Sequence, residues 1–165
     1  ITENAEEINT HELEVAKSNV TEKTQTVDKT EEIANINGIE IATLPITGTI
    51  SSRYGVSSRI RVSTHTGLDI AATTGTPIKV IADGTVISAQ YTGSYGYLVK
   101  VDHGNGVESW YAHTSKMYVK AGEMVKAGDV IAAVGSTGNS TGPHLHLEIR
   151  INGQHVNPQK YIYNN

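Results

Sequence analysis

Cysteine is absent, which excludes a disulfide framework and any thiolate-held metal; a metal in this chain has only histidine and carboxylate ligands to draw on. Phenylalanine is also absent and tryptophan occurs once. No stretch approaches the roughly 20 consecutive apolar residues of a membrane span, and no secretory signal sequence is visible. The clustered basic surface that nucleic-acid binding needs is missing too, and the formal net charge is −4. The chain opens at Ile1 without an initiating methionine, which reads as a trimmed fragment with room for a leader or an anchor upstream.

What is present is one domain's worth of chain. The 165 residues are 38% hydrophobic, enough for a single core. Sixteen glycines, eight tyrosines and few long apolar runs point to short strands and many turns, with helix a minor component. Charge is unevenly spread: residues 1–32 hold nine acids and three lysines, net −6, and residues 33–165 hold eight acids and ten bases, net +2. Residues 1–42 lack glycine before Gly38 and scatter their apolar side chains too thinly to build a core of their own. They read as an acidic stalk or packing arm, with weak helical spacing at Ile8, Leu13 and Ala16, and the folded domain is placed at 43–165.

Within that domain, PIKVIADGTVISAQY (77–91) reads as two strands about a turn at Asp83-Gly84. YLVKVDHGNGVESWYAH (97–113) repeats the plan about Asn105-Gly106, and VKAGDVIAAVG (125–135) places Gly128-Asp129 before another apolar run. A Gly/Ser/Thr loop, GSTGNSTGP, then leads into HLHLEIRI, which turns at Asn152-Gly153. Short strands and tight turns at this spacing predict an antiparallel sandwich or half-open barrel.

The chemistry concentrates in GPHLHLEIR (142–150). Side chains alternate along a strand, so His144, His146 and Glu148 share one face and Leu145, Leu147 and Ile149 the other. Same-face neighbours lie about 6.5 to 7 Å apart, a separation at which one imidazole can hold a metal while the other acts on a substrate. Taken alone, an HxH pair reads more often as surface polarity. Two further stretches change that: STHTGLDIAA, with His65 and Asp69 on a turn leading into a strand, and WYAHTS, where His113 follows an apolar-aromatic strand. Two histidines and a carboxylate with an open fourth position describe a catalytic zinc site, which acidifies water and polarises a carbonyl, with neutral imidazoles nearby to move protons.

HTGLD, WYAH and GPHLHLE, in that order and with ADGTV and VKAGD between them, resemble the M23 zinc metallopeptidases, the LytM or lysostaphin-type domains, over residues 45–160. The resemblance implies a small antiparallel β-sheet or half-barrel with a groove above it. It implies zinc held by His65, Asp69 and His146, with His113 and His144 as catalytic residues that assist the water and the oxyanion. It further implies a zinc-dependent endopeptidase that acts on peptide cross-links of bacterial peptidoglycan by metal-activated water attack. Its location would be extracytoplasmic, in the cell wall or anchored in a membrane facing it. Family members also serve as assembly proteins, so the alternative is a SpoIIQ-like sporulation-channel component that binds zinc and docks a SpoIIIAH-type membrane partner. A metal-free β domain with accidental histidines is the remaining reading.

Other residues carry plainer expectations. His11, His103 and His155 read as solvated or turn residues. Glu148 is either an orienter of a histidine or a solvated strand residue, and Arg53 and Tyr54 either shape the groove or pack a turn. GSTGNSTG lacks the Lys-Ser/Thr of a phosphate-binding loop and precedes a strand, so it is expected to edge the groove.

Overall fold

The computed structural model describes residues 33–56 and 65–163. His11, the helical spacing at Ile8, Leu13 and Ala16, and most of the expected stalk lie outside the described residues. Among those described, twelve strands account for the architecture: β1 (Ala34–Ile36), β2 (Ile39–Ile41), β3 (Thr49–Ser52), β4 (Leu68–Ala71), β5 (Pro77–Lys79), β6 (Gly84–Tyr91), β7 (Tyr97–Gly104), β8 (Val107–Met117), β9 (Met124–Val125), β10 (Val130–Val134), β11 (His144–Ile151) and β12 (Gln154–Val156). Two single 3₁₀ turns, Gly93–Tyr95 and Pro158–Lys160, are the only helical elements among them, and none is long and apolar enough to cross a membrane.

All pairings are antiparallel. Seven strands follow the order β3-β4-β11-β8-β7-β6-β9, with β12 beside β11 and β10 bridging β8 to β5, and the sheet does not close. The strand carrying His144 and His146 is therefore central, flanked by β4 and β8.

Three hairpins follow from one piece of local chemistry. Asn37-Gly38, Asn105-Gly106 and Asn152-Gly153 all take positive φ at both residues, with φ of 52–53° at the asparagines and 78–90° at the glycines. That is the type I′ geometry whose twist matches paired strands, and Asn and Gly are the residues that tolerate it. The Asp83-Gly84 reading needs correction. β5 pairs with β10, and β6 pairs with β7, so no hairpin joins β5 to β6. The intervening Val80, Ile81 and Ala82 are buried, and Val80 exchanges backbone hydrogen bonds with Asp129 (2.9 Å) and Gly128 (2.9 Å) across the fold.

Leu145, Leu147 and Ile149 are fully buried on the core face of β11, joined by Leu68, Ile70, Val99, Val101 and Tyr111 from neighbouring strands. Ile36 and Ile41 of the β1–β2 hairpin belong to the same core, each worth roughly 1.5–3 kcal/mol by burial, so core residues are found ahead of residue 43 as well. His103 also departs from expectation. It is 8% exposed, with Nδ1 donating to the Asp83 carbonyl at 2.8 Å and Nε2 2.7 Å from the Ser109 hydroxyl. Ser109 in turn meets the Tyr111 hydroxyl at 2.7 Å, which accepts from the Ile81 amide at 3.2 Å. The chain of bonds fastens the 80–83 crossing to β7 and β8, because polar groups buried there need partners.

Candidate metal centre

Register brings the first two groups together. His146 on β11 lies opposite Asp69 on β4, and His65 enters from the segment before β4, held by backbone bonds between its carbonyl and Gly55 (2.8 Å) and between its amide and Val56 (3.0 Å). Gly67 makes this approach feasible: a Cβ there would run into the Leu147 carbonyl and stand 2.9 Å from both the His146 ring and the Glu148 Cγ.

Three donor atoms then face one point. His146 Nδ1 is 2.8 Å from Asp69 Oδ1, His65 Nε2 is 3.1 Å from the same oxygen, and the two nitrogens are 3.1 Å apart. A tetrahedral ion bonded at about 2.0–2.1 Å has ligand–ligand edges near 3.3 Å, so the cluster lies within a few tenths of an ångström of what a divalent cation needs. The chemistry of the donors fits as well. His65 Nδ1 donates to the Arg53 carbonyl at 2.9 Å, which leaves Nε2 as a lone-pair donor. His146 is oriented the other way round, with Nε2 donating to Glu148 at 2.9 Å and Nδ1 turned inward. Residues His65, Asp69 and His146 are the one group of three or more metal-ligating side chains among the described residues whose ligand atoms all lie within 4.8 Å of one another.

Electrostatics reinforce the arrangement. Burial works to raise the Asp69 carboxyl, but the hydrogen bond and charge of protonated His146, with the His65 ring beside it, outweigh it and hold the group well below the usual carboxylate range. Burial likewise works against charge on His146, yet its bonds to Asp69 and Glu148 push it up to about 9. Without a cation the site thus keeps a proton on His146; metal uptake displaces it.

His113 and His144 flank this cluster. Their rings are 4.8 Å apart, and His113 lies 5.9 Å from the His146 ring. His113 owes its direction to a bulge: β7 residues Tyr97 and Val99 oppose Thr114 and Tyr111, so β8 carries one extra residue, and His113 sits there at φ 60°. A non-glycine residue in this left-handed region is strained, and such strain gathers at functional sites. His113 Nδ1 donates to the Thr137 carbonyl at 2.7 Å, leaving Nε2 bare, and burial pushes the imidazole down to about 4. His144 Nδ1 donates to the Gly142 carbonyl at 2.8 Å, and its Nε2 is 3.7 Å from Asp69 Oδ1. The GSTGNSTGP loop supplies both carbonyls and so edges the site.

Several partners escaped the sequence. Glu148 is fully buried, not solvated, and it is gripped by Thr66 (2.8 Å), Tyr95 (2.7 Å) and Arg150 (2.9 and 2.7 Å) besides His146. Arg150 lies 3.8 Å over the Trp110 ring. For Arg150 the signal was its place two residues beyond Glu148 on the same strand face; Thr66 and Tyr95 gave none. Arg53 contributes its backbone carbonyl, while its guanidinium bonds Gln159 at 2.8 Å. His155 is no free turn residue, since the Tyr54 hydroxyl meets its Nδ1 at 2.8 Å.

Comparison with known proteins adds an independent line. The sequence model of Peptidase family M23 matches residues 63–158. A DD-carboxypeptidase/endopeptidase, Mpg of Neisseria meningitidis serogroup B, is 50% identical over 112 residues, covering 66% of this chain and 26% of Mpg. The murein hydrolase activator EnvC of Escherichia coli is 42% identical over 118 residues, 72% of this chain and 28% of EnvC. The chain thus spans only about a quarter of the length of these relatives. The lysostaphin catalytic domain from Staphylococcus simulans superposes with a TM-score of 0.65 at 33% identity, covering 69% of this chain and 91% of that one. With more than half of its residues inside the family pattern and the same open β-sheet beneath, this chain belongs to peptidase family M23.

Proposed function

We propose that the protein is a zinc-dependent endopeptidase that hydrolyses peptide cross-links of bacterial peptidoglycan outside the cytoplasm. The observation that carries this reading is the meeting of His65, Asp69 and His146 on one point with two further imidazoles, His113 and His144, stationed beside it. A zinc ion held by those three residues would supply Lewis acidity, acidifying a water molecule and polarising the scissile carbonyl. The chain's own groups handle the protons. His113, neutral at physiological pH and with Nε2 unencumbered, accepts a proton from the attacking water. His144, its Nε2 3.7 Å from Asp69 Oδ1, stands beside the cluster to stabilise the oxyanion, and the proton gained by His113 passes to the departing amine. Positioned acid–base groups of this kind are worth about 10²–10⁴ in rate.

Likeness to a DD-carboxypeptidase/endopeptidase supports the substrate class, and the kinship with EnvC supports a second reading in which the domain binds and activates. The five-residue set is complete here, which favours hydrolysis over both activation and SpoIIQ-like docking of a SpoIIIAH-type partner. The test is to incubate zinc-loaded protein with purified, cross-linked peptidoglycan fragments and read the products by mass spectrometry. Peptide-bond cleavage that a chelator stops is expected. No cleavage, together with a membrane partner retained by the His113→Ala variant, would establish the binding role instead.

A further inference from the structure

The Glu148 carboxylate is fully buried and takes five hydrogen bonds. Oε2 accepts from His146 Nε2 (2.9 Å), the Thr66 hydroxyl (2.8 Å) and the Tyr95 hydroxyl (2.7 Å). Oε1 accepts from Arg150 Nε (2.9 Å) and Nη2 (2.7 Å). The arginine is itself laid on the Trp110 face, 3.8 Å away, and Tyr95 meets the same indole edge-on at 5.8 Å. A buried charge so thoroughly paired fixes its own orientation, and only one of its partners points back toward the metal-ligating cluster: His146.

We propose that Glu148 is the positioning residue of the metal centre: it selects the His146 tautomer, holding the proton on Nε2 so that Nδ1 faces His65 and Asp69 as a lone-pair donor. Without it the ring could carry its proton on Nδ1 and present no ligand at all. Thr66, Tyr95 and Arg150 act through Glu148 by keeping the carboxylate from rotating. Thr66 follows His65 directly and His146 bonds the same oxygen, so the segments bearing these two histidines are tied together at Oε2, with Tyr95 from the 3₁₀ turn Gly93–Tyr95 as a third donor. This rests on metal binding at His65, Asp69 and His146, as proposed above.

Glu148→Gln keeps the shape but replaces one oxygen by an NH₂ group, which must face either Arg150 or the three donors at Oε2, a donor against donors in each case. Zinc affinity, measured by competition with a chromophoric chelator, is expected to fall by about tenfold to a hundredfold, the range typical for partners of ligating histidines. In the wild type, ¹⁵N-histidine spectra of the zinc-loaded protein, and of the metal-free protein at a pH alkaline enough to leave the ring neutral, should show His146 protonated at Nε2 alone, and the metal-free Glu148→Gln spectra at that pH a mixture of tautomers. Tyr95→Phe and Thr66→Val, each removing one bond to Oε2, serve as milder versions should Glu148→Gln fold poorly, and each is expected to weaken zinc binding by less than Glu148→Gln. Unchanged zinc affinity and an unchanged His146 tautomer in these folded variants, with only the melting temperature lowered, would overturn the proposal. A wild type that takes up no zinc would sink the parent reading, and this one with it.

Discussion

The left-handed backbone of His113 offers a way to separate strain from catalysis. His113→Ala and His113→Gly both delete the imidazole and its 2.7 Å bond to the Thr137 carbonyl, so they are expected to lose turnover alike, by about 10²–10³, with zinc retained. They differ in backbone cost. At φ 60°, alanine suffers about 1–2 kcal/mol of left-handed strain and glycine essentially none. Alanine recovers about 0.4–1 kcal/mol through a less disordered unfolded chain. At the midpoints of these ranges the balance favours glycine by about 0.8 kcal/mol, which corresponds to roughly 2–5 °C in melting temperature for a domain of this size. Thermal melts of both zinc-loaded variants, run beside a turnover assay, test this. An alanine variant as stable as the glycine variant, or more so, would refute the claim that the bulge strains this position.

Other perturbations have equally definite outcomes. Gly67→Ala pushes a methyl group into the Leu147 carbonyl and the rings and chains of His146 and Glu148; overpacking of this kind costs about 1–3 kcal/mol, and calorimetric zinc titration should show weaker binding alongside the lowered stability. His103 is held below its ordinary value because burial disfavours the imidazolium. The unfolded chain therefore binds the proton first, and the stability that neutral His103 lends is full above about pH 6.5 and lost as the pH falls below it. Denaturant melts between pH 5 and 7 should show a flatter pH dependence for His103→Gln than for the wild type; identical slopes would contradict the burial argument.

Much of the fold was legible because it is written in local chemistry. Asn105-Gly106 and Asn152-Gly153 specify their turns residue by residue, and the alternation of His144, His146 and Glu148 with Leu145, Leu147 and Ile149 holds in the strand. Asn37-Gly38 carried the same signal but stood at the end of an acidic segment whose composition argued against a core. What the sequence concealed was non-local. Asp83-Gly84 looks like a hairpin turn, yet β5 finds its partner in β10 about fifty residues on, a pairing no local pattern encodes. His103 sits beside a turn and is buried all the same, because the 80–83 crossing covers it. The alternation of β11 suggested one dry face and one wet; in the structure Tyr95, Thr66 and Arg150 cover the second face too, which is why Glu148 is buried. That His65, Asp69 and His146 lie together could be expected from their motifs, whereas the carbonyls of Arg53, Thr137 and Gly142 that orient three of the histidines could not, since backbone atoms leave no trace in residue identity.

The most direct test of the central claim is elemental analysis of zinc per chain in wild type and five variants purified under the same metal-supplemented conditions. One zinc per chain is expected for the wild type, His113→Ala and His144→Ala, and almost none for His65→Ala, Asp69→Ala and His146→Ala. Zinc that survives the loss of His146 but disappears with His144 would contradict the account.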